Sequence, residues 1–248
     1  MDIIQHHLSK DFNTIEIYPL SDLHLGDKLC DIESFKTFIT FILKEPNRFI
    51  IYNGDNVNNA IKPFPSDCFE ETMSPSDQVD LLKSLLKPVA NRILLLVEGN
   101  HEARTTKTSG LSIVKNIAEY LNISNLYRQY EGFLKVSFGK KDNNRCQVYT
   151  IYVNHNGASR AKMEQVAIGT SADIYVFGHI HQKEAFKLLK RTPDLHNNNI
   201  IEQSILFVVS SHWLNYGGYG ASKLYIPTPK GSVPVVLSGT SKEMRAIV

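Results

Sequence analysis

Apolar positions recur along the chain with two different periods. Over 14–20, Ile15 and Ile17 alternate with polar partners and the segment then runs into SDLHLGD, the pattern of a strand ending in a polar loop. Asp31 is placed to cap a helix in which Phe35, Phe38, Ile39 and Ile42 recur at helical spacing until Pro46. RFIIYN at 48–53 reads as a short buried strand that ends in GDNVNN. After a stretch containing Pro63, Pro65 and Pro75, on whose role as a lid the pattern is silent, Val79, Leu82, Leu85, Leu86 and Val89 predict a second helix that Pro88 kinks or ends. ILLLV at 93–97 is a fully apolar strand ending in EGNHE, and 111–121 predicts a third helix. The period then changes from 3.6 to 2. Segments 132–139 and 146–153 alternate and are joined by the polar turn KKDNNR, so they should pair as a hairpin, the second strand ending in NHNG. A helix over 158–169, a strand over 173–177 ending in GHIHQ, and strands over 185–189, 200–210 and 233–237 complete the chain. Strand–helix alternation followed by hairpins predicts an α/β fold, a four-layer αββα sandwich of two mixed β-sheets flanked by helices. No internal repeat and no linker divides it, so 1–248 reads as a single domain.

Composition narrows this little. Of 248 residues 42% are hydrophobic and 21% charged, and the net charge is +2, which excludes a disordered polyelectrolyte. Near-neutrality argues against a histone-like mode of nucleic-acid binding while leaving room for a local basic groove. No apolar run approaches the roughly 18–20 residues of a membrane span, and the acidic, polar first residues do not resemble a signal peptide, so a cytoplasmic location is expected. Cys30, Cys68 and Cys146 lack CxxC spacing, so neither a disulfide framework nor a thiolate zinc site is expected, and Cys30 and Cys68 should be inert. The unusual count is nine histidines.

The informative feature is where the polar clusters fall. DLH, GDNVN, GNHE, NHNG and GHIH each come directly after a predicted strand, so five loops can converge on one edge of a sheet, where ligands of open α/β folds bind. They offer Asp22, His24, Asp55, Asn100, His101, His155, His179 and His181, a carboxylate, amide and imidazole set suited to hard or borderline divalent cations. These eight are too many for one tetrahedral ion, and seven oxygen and nitrogen ligands suit two ions about 3.5–4 Å apart with an aspartate bridging them, an arrangement fitted to phosphoryl chemistry. Gly54, Gly99 and Gly178 each precede a ligand, where a sharp turn can demand φ values other residues resist. An extended His179-Ile180-His181 would point both imidazoles to one face.

In order and spacing from Asp22 to His181, these motifs resemble those of the calcineurin-like metallophosphoesterase superfamily, over about two thirds of the chain. The resemblance implies two divalent metal ions, Mn²⁺ first, with Fe, Zn²⁺, Mg²⁺ or Ni²⁺ as alternatives. It places Asp22, His24, Asp55 and His181 around the first, and Asp55, Asn100, His155 and His179 around the second. It makes His101 the general acid, assisted by a neighbouring carboxylate such as Asp55, with in-line attack by a metal-bridging hydroxide and no phospho-enzyme. Superfamily protein Ser/Thr phosphatases carry GDxxDRG, whereas this chain has GDNVNNA with Asn58 in place of the Asp, which disfavours a protein phosphatase. The expected reaction is hydrolysis of a phosphate ester, a phosphodiester of a nucleotide or nucleic acid first, with a phosphomonoester of a small metabolite or protein as the alternative. A silent binding module on the same fold would have lost ligands, and here every position is filled. Arg104 of GNHEAR is either a substrate-phosphate contact or a surface arginine. His212 is expected at the rim, and His6, His7 and His196 in solvent. Tyr216 and Tyr219 of YGGYG either stack bases or belong to a glycine-rich turn. The segment from Trp213 onward resembles phage-encoded members of the family.

Overall fold

The apolar runs pair into two six-stranded sheets. The structure, a computed structural model, describes residues 2–62, 64, 68–141 and 144–248, so Pro63 and Pro65 and part of the KKDNNR turn lie outside the described residues. In chain order the strands are β1 (Ile4–His7), β2 (Thr14–Leu20), β3 (Arg48–Asn53), β4 (Ile93–Val97), β5 (Tyr127–Arg128), β6 (Glu131–Phe138), β7 (Gln147–Asn154), β8 (Ile174–Phe177), β9 (Glu184–Asp194), β10 (Asn199–Val209), β11 (Val235–Ser238) and β12 (Met244–Ala246). The helices are α1 (Ile32–Leu43), α2 (Pro75–Leu86), α3 (Glu102–Ser109), α4 (Ile113–Tyr120), α5 (Arg160–Gly169) and the single turn α6 (Gly218–Ser222). One sheet has the order β12-β11-β2-β3-β4-β5 and the other β1-β6-β7-β8-β10-β9. Both are mixed. The neighbours β2, β3 and β4 run parallel, as do β7, β8 and β10, while β6/β7, β9/β10 and β11/β12 are antiparallel.

The sheets face each other across a shared core in which Leu95 of β4, packed against Gly132 of β6, lies with Leu134 and Val136 of β6 and Ile151 and Val153 of β7. Helices α1, α2 and α4 cover the outer face of the first sheet, with Tyr18 of β2 edge-on to Phe38 and Phe41 of α1. Met163 and Ala167 of α5 cover the second through Tyr152, Tyr175 and Phe207. These are the four layers of an αββα sandwich. Local chemistry starts the helices where the pattern predicts: Asp31 Oδ1 accepts the Ser34 N–H at 3.1 Å at the head of α1, and Ser74 caps α2 with Pro75 in its first turn. Pro88 lies in a 3-10 turn over Lys87–Arg92, which ends α2.

Several short elements escape the periodicity. The buried residues of α3 are Glu102 and Arg104, so this helix has no apolar stripe to detect. Strand β1 buries only Ile4, and within it His6 Nε2 bonds the Leu94 carbonyl at 2.8 Å, so His6 is not a solvated histidine. β5 and β12 are two and three residues long.

Candidate metal centre

The parallel directions of β2, β3 and β4 and of β7 and β8 bring five loop starts to the same end of the sandwich. The loops therefore converge from two sheets rather than along one sheet edge: Asp22–His24, Asp55 and Asn100–His101 come after β2, β3 and β4, and His155 and His179–His181 come after β7 and β8. They are laced together by their backbones. Asp22 N–H donates to Gly54 O at 3.1 Å, His24 N–H to Asp55 O at 3.0 Å, and Gly178 N–H to His155 O at 3.0 Å.

The close approach explains the glycines. Only Gly54 of the three has positive φ, +75°. At Gly99 a Cβ would collide with the Asp55 carboxylate and backbone, and at Gly178 with the Ser21 hydroxyl, so these two are required for space rather than for φ. The left-handed conformations fall instead on the polar residues themselves: Asp22 (54°), His24 (49°), Asp55 (52°), His179 (72°) and His181 (54°). His179-Ile180-His181 is thus not extended, and both imidazoles reach the centre from tight turns. Such backbone costs of order 1–3 kcal/mol per residue and persists where surrounding bonds over-determine it.

Each carboxylate commits one oxygen to the protein and turns the other inward. Asp22 Oδ2 accepts the Ser21 hydroxyl and the His179 N–H, while Oδ1 faces Nε2 of His181 at 3.2 Å, of His24 at 3.8 Å and of His155 at 4.0 Å. Asp55 Oδ1 accepts the His101 N–H at 2.8 Å, and Oδ2 lies 3.1 Å from His155 Nε2. The imidazoles are oriented in the same way. His155 Nδ1 donates to Asn53 O at 2.6 Å and His24 Nδ1 to Asn58 Oδ1 at 3.2 Å, so in each neutral ring the lone pair on Nε2 points to the cluster. Ligand atoms of Asp22, His24 and His181 lie within 4.8 Å of one another, as do those of Asp55, His155 and His179 and those of His24, Asp55 and His101. Asp22 Oδ1, Asn100 Oδ1 and His155 Nε2 are buried without a hydrogen-bond partner.

These atoms fit divalent cations. Two buried carboxylates with no lysine or arginine against them among the described residues need positive charge, and three orphaned acceptors need something to coordinate. Without metal, protons serve. Burial lowers His155, but the Asp55 and Asp22 carboxylates override it and raise it to about 10. Burial likewise works against ionised Asp22 and Asp55, yet the His155 charge holds both below the usual carboxylate range. His181 is raised against burial by its bond to Asp22, whereas burial and the neighbouring cationic imidazoles lower His24 and His179.

His101 stands beside this cluster with different partners. Nδ1 donates to the Asn58 carbonyl at 2.6 Å and Nε2 accepts from Arg104 Nη2 at 2.8 Å, which fixes a neutral ring; Asp55 Oδ2 is 4.0 Å from Nε2. The direct partner of its Nδ1 is therefore a backbone carbonyl and not a carboxylate. Burial, with the Arg104 charge, lowers its pKa even though Asp55 works in the opposite sense. Arg104 is buried rather than a surface arginine, its other nitrogen donating to Asn58 O and Asn59 O.

Three further residues shape the centre without belonging to the ligand set. Glu102, the last residue of GNHE, is fully buried and accepts from Tyr52 Oη, Asn56 N, Asp55 N and Gly99 N at 2.8–3.1 Å, which buckles the β3 and β4 loops together. Burial and Asp55 raise its carboxyl to about 7, while those four donors favour the ionised form. Asn58, where the phosphatase motif has Asp, uses its amide to join His24 to Glu71. His212 is buried rather than at a rim, its ring 5.1 Å from that of His181, and it bonds Thr228, whose hydroxyl donates to the His181 carbonyl. A final strand-end histidine after SS is the signal available in the sequence; burial supplies the rest. Tyr216 is half exposed and bonds the Tyr225 carbonyl, and the YGGYG segment runs into the helical turn α6. Burial pushes the Cys30 thiol up to about 12. Among the described residues, no helix is long and apolar enough to cross a membrane.

Solved structures of similar shape include a predicted phosphoesterase from Streptococcus pneumoniae (13% identity, TM-score 0.42, covering 94% of this chain and 97% of that one). Others are a Vps29 variant from Entamoeba histolytica (12%, 0.43, 93% and 89%) and a metallophosphoesterase from Sphaerobacter thermophilus (12%, 0.43, 90% and 84%). No curated protein sequence matches the chain. Residues 16–183, which contain every motif of the site, match the calcineurin-like phosphoesterase family, and the chain belongs to it.

Proposed function

We propose that this chain is a metal-dependent phosphodiesterase acting on a nucleotide or nucleic acid. The observation that carries the hydrolytic reading is the inward-facing set of Asp22 Oδ1, Asn100 Oδ1 and His155 Nε2, buried and unpartnered among the other donors. Two divalent cations, Mn²⁺ first, would be held by Asp22, His24, Asp55 and His181 and by Asp55, Asn100, His155 and His179, where they would polarise phosphoryl oxygens and activate water near neutral pH. The chain's own residues do the rest. Asp22 and Asp55 fix the charge of the centre, and the hydrogen bonds from Nδ1 hold His24 and His155 in the ligating tautomer. His101 is the general acid, and an arriving phosphate oxygen would displace the Arg104 N–H from Nε2. The substrate's negative charge then favours a proton on Nε2, from which it passes to the leaving oxygen.

A diester is favoured because the chain lacks the GDxxDRG of the superfamily's protein phosphatases, carrying Asn58 in place of the Asp and no following Arg-Gly. The purified chain is assayed on bis-p-nitrophenyl phosphate and p-nitrophenyl phosphate with Mn²⁺ and with EDTA. Turnover should require metal and favour the diester. No metal-dependent turnover of either ester overturns the hydrolytic reading, and a preference for the monoester overturns the diester.

A further inference from the structure

Asn156 and Gly157 of NHNG follow the candidate ligand His155 and line a cavity of about 330 Å³ that opens beside the exposed His179. Its walls are Ala158, Met163, Val166 and Phe177, and its polar groups are Asn156, Lys162 and His179. The floor is tightly built: Gly157 N–H donates to His155 O at 2.7 Å, and a Cβ on Gly157 would strike the Gly178 carbonyl.

We propose that this cavity seats the nucleobase of the ester arm on the His179 side of the metal centre. The inference rests on the phosphodiesterase reading and names its substrate more closely. Ala158 and Val166, with the edges of the nearly buried Met163 and Phe177, give an apolar wall that suits a flat ring. The Asn156 carboxamide offers both a donor and an acceptor to a ring edge, and the Lys162 ammonium suits an anion. One end of the cavity is His179, so a base held there is contiguous with the phosphate position. A sugar phosphate would leave the apolar wall against water, and an alkyl chain would leave Asn156 and Lys162 unused. The volume is near the lower end of small-molecule pockets, about 300 Å³, which is room for one nucleoside.

The test is made on the metal-free chain in EDTA, labelled at its methionine methyls. Adenosine should shift the Met163 methyl resonance saturably by ring current, leaving Met73 and Met244 in place, while ribose does nothing; Met163→Leu assigns the signal. Ala158→Trp, checked for fold by circular dichroism, should fill the cavity and weaken adenosine binding at least tenfold. No Met163 shift with adenosine, an equal shift with ribose, or a shift with p-nitrophenol alone overturns the proposal. Ester turnover is measured separately: turnover without the Met163 shift overturns the cavity assignment and leaves the esterase reading, and the shift without turnover does the reverse.

Discussion

Asp55 and His101 lie a single hydrogen bond apart, yet their substitution should separate metal binding from chemistry. Asp55 presents Oδ2 to His155 in a cluster with His155 and His179; His101 also lies within 4.8 Å of ligand atoms of His24 and Asp55, but both its ring nitrogens are taken by Asn58 and Arg104. His101→Ala should keep both metals, measured by metal analysis after gel filtration, and lose about a hundredfold or more in turnover of a nucleoside ester. It should lose less on bis-p-nitrophenyl phosphate, whose leaving group needs little protonation. Asp55→Ala should lose metal as well, and an emptied site in His101→Ala would show that His101 is a ligand. The pH dependence of metal binding comes from His155, raised to about 10 by Asp55 and Asp22 despite burial. A metal needs its neutral Nε2, so below that pH each ion bound there expels a proton. Apparent affinity should therefore rise about tenfold per pH unit in neutral solution, with proton release visible by calorimetry in buffers of different ionisation enthalpy. A pH-independent affinity would place the metal elsewhere.

At the scale of elements, the buckle between the β3 and β4 loops is the vulnerable point. Both Glu102 oxygens accept two donors each, three of the four donors being backbone N–H groups that cannot turn away. In Glu102→Gln the new amide must face two of these donors in either orientation. The loss should be about 2–5 kcal/mol in urea unfolding, with metal occupancy reduced because Asp55 N is one of the donors. Stability and occupancy both unchanged would mean that the loops are held by the backbone ladder alone. Glu102 also marks the limit of what the sequence conveys. The five motifs are legible because each is a short polar run at the end of an apolar one, and β2, β3, β4, β7 and β8 match the predicted segments closely. Helix α3 is not, since its inward residues are charged and their burial depends on loops from other strands. The turns at His179 and His181 escape the pattern for a related reason: HxH is compatible with extended backbone, and only the close packing against Asp22 makes positive φ the lower-energy choice. Arg104 and His212 are visible as residues but not as buried ones, because their partners, Asn58, Asn59 and Thr228, are remote in sequence.

For the whole molecule, the metal-free centre is balanced only by protons on its imidazoles, and a bound cation takes their place. Asp22 and Asp55 are buried with no lysine or arginine partner among the described residues, and five residues of the centre occupy left-handed backbone. Metal that binds only the folded state recovers this by mass action, about 2.7 kcal/mol for an ion at a hundred times its dissociation constant. In a chain of this length that is a rise in melting temperature of about 5–10 °C for each site. Asp55→Asn should reverse the order. The neutral amide can keep the acceptor for the His101 N–H and give an N–H to His155 Nε2, so neither an unpaired charge nor a proton on His155 is needed. The metal-free variant should melt at or above the metal-free parent, and Mn²⁺ should raise it by much less, so the two melting curves cross as metal is added. Scanning calorimetry of both chains in EDTA and in Mn²⁺ measures all four values. An equal Mn²⁺ gain in parent and variant would mean that Asp55 is not the group through which the cation stabilises the fold, and that the carboxylate is balanced by protons alone.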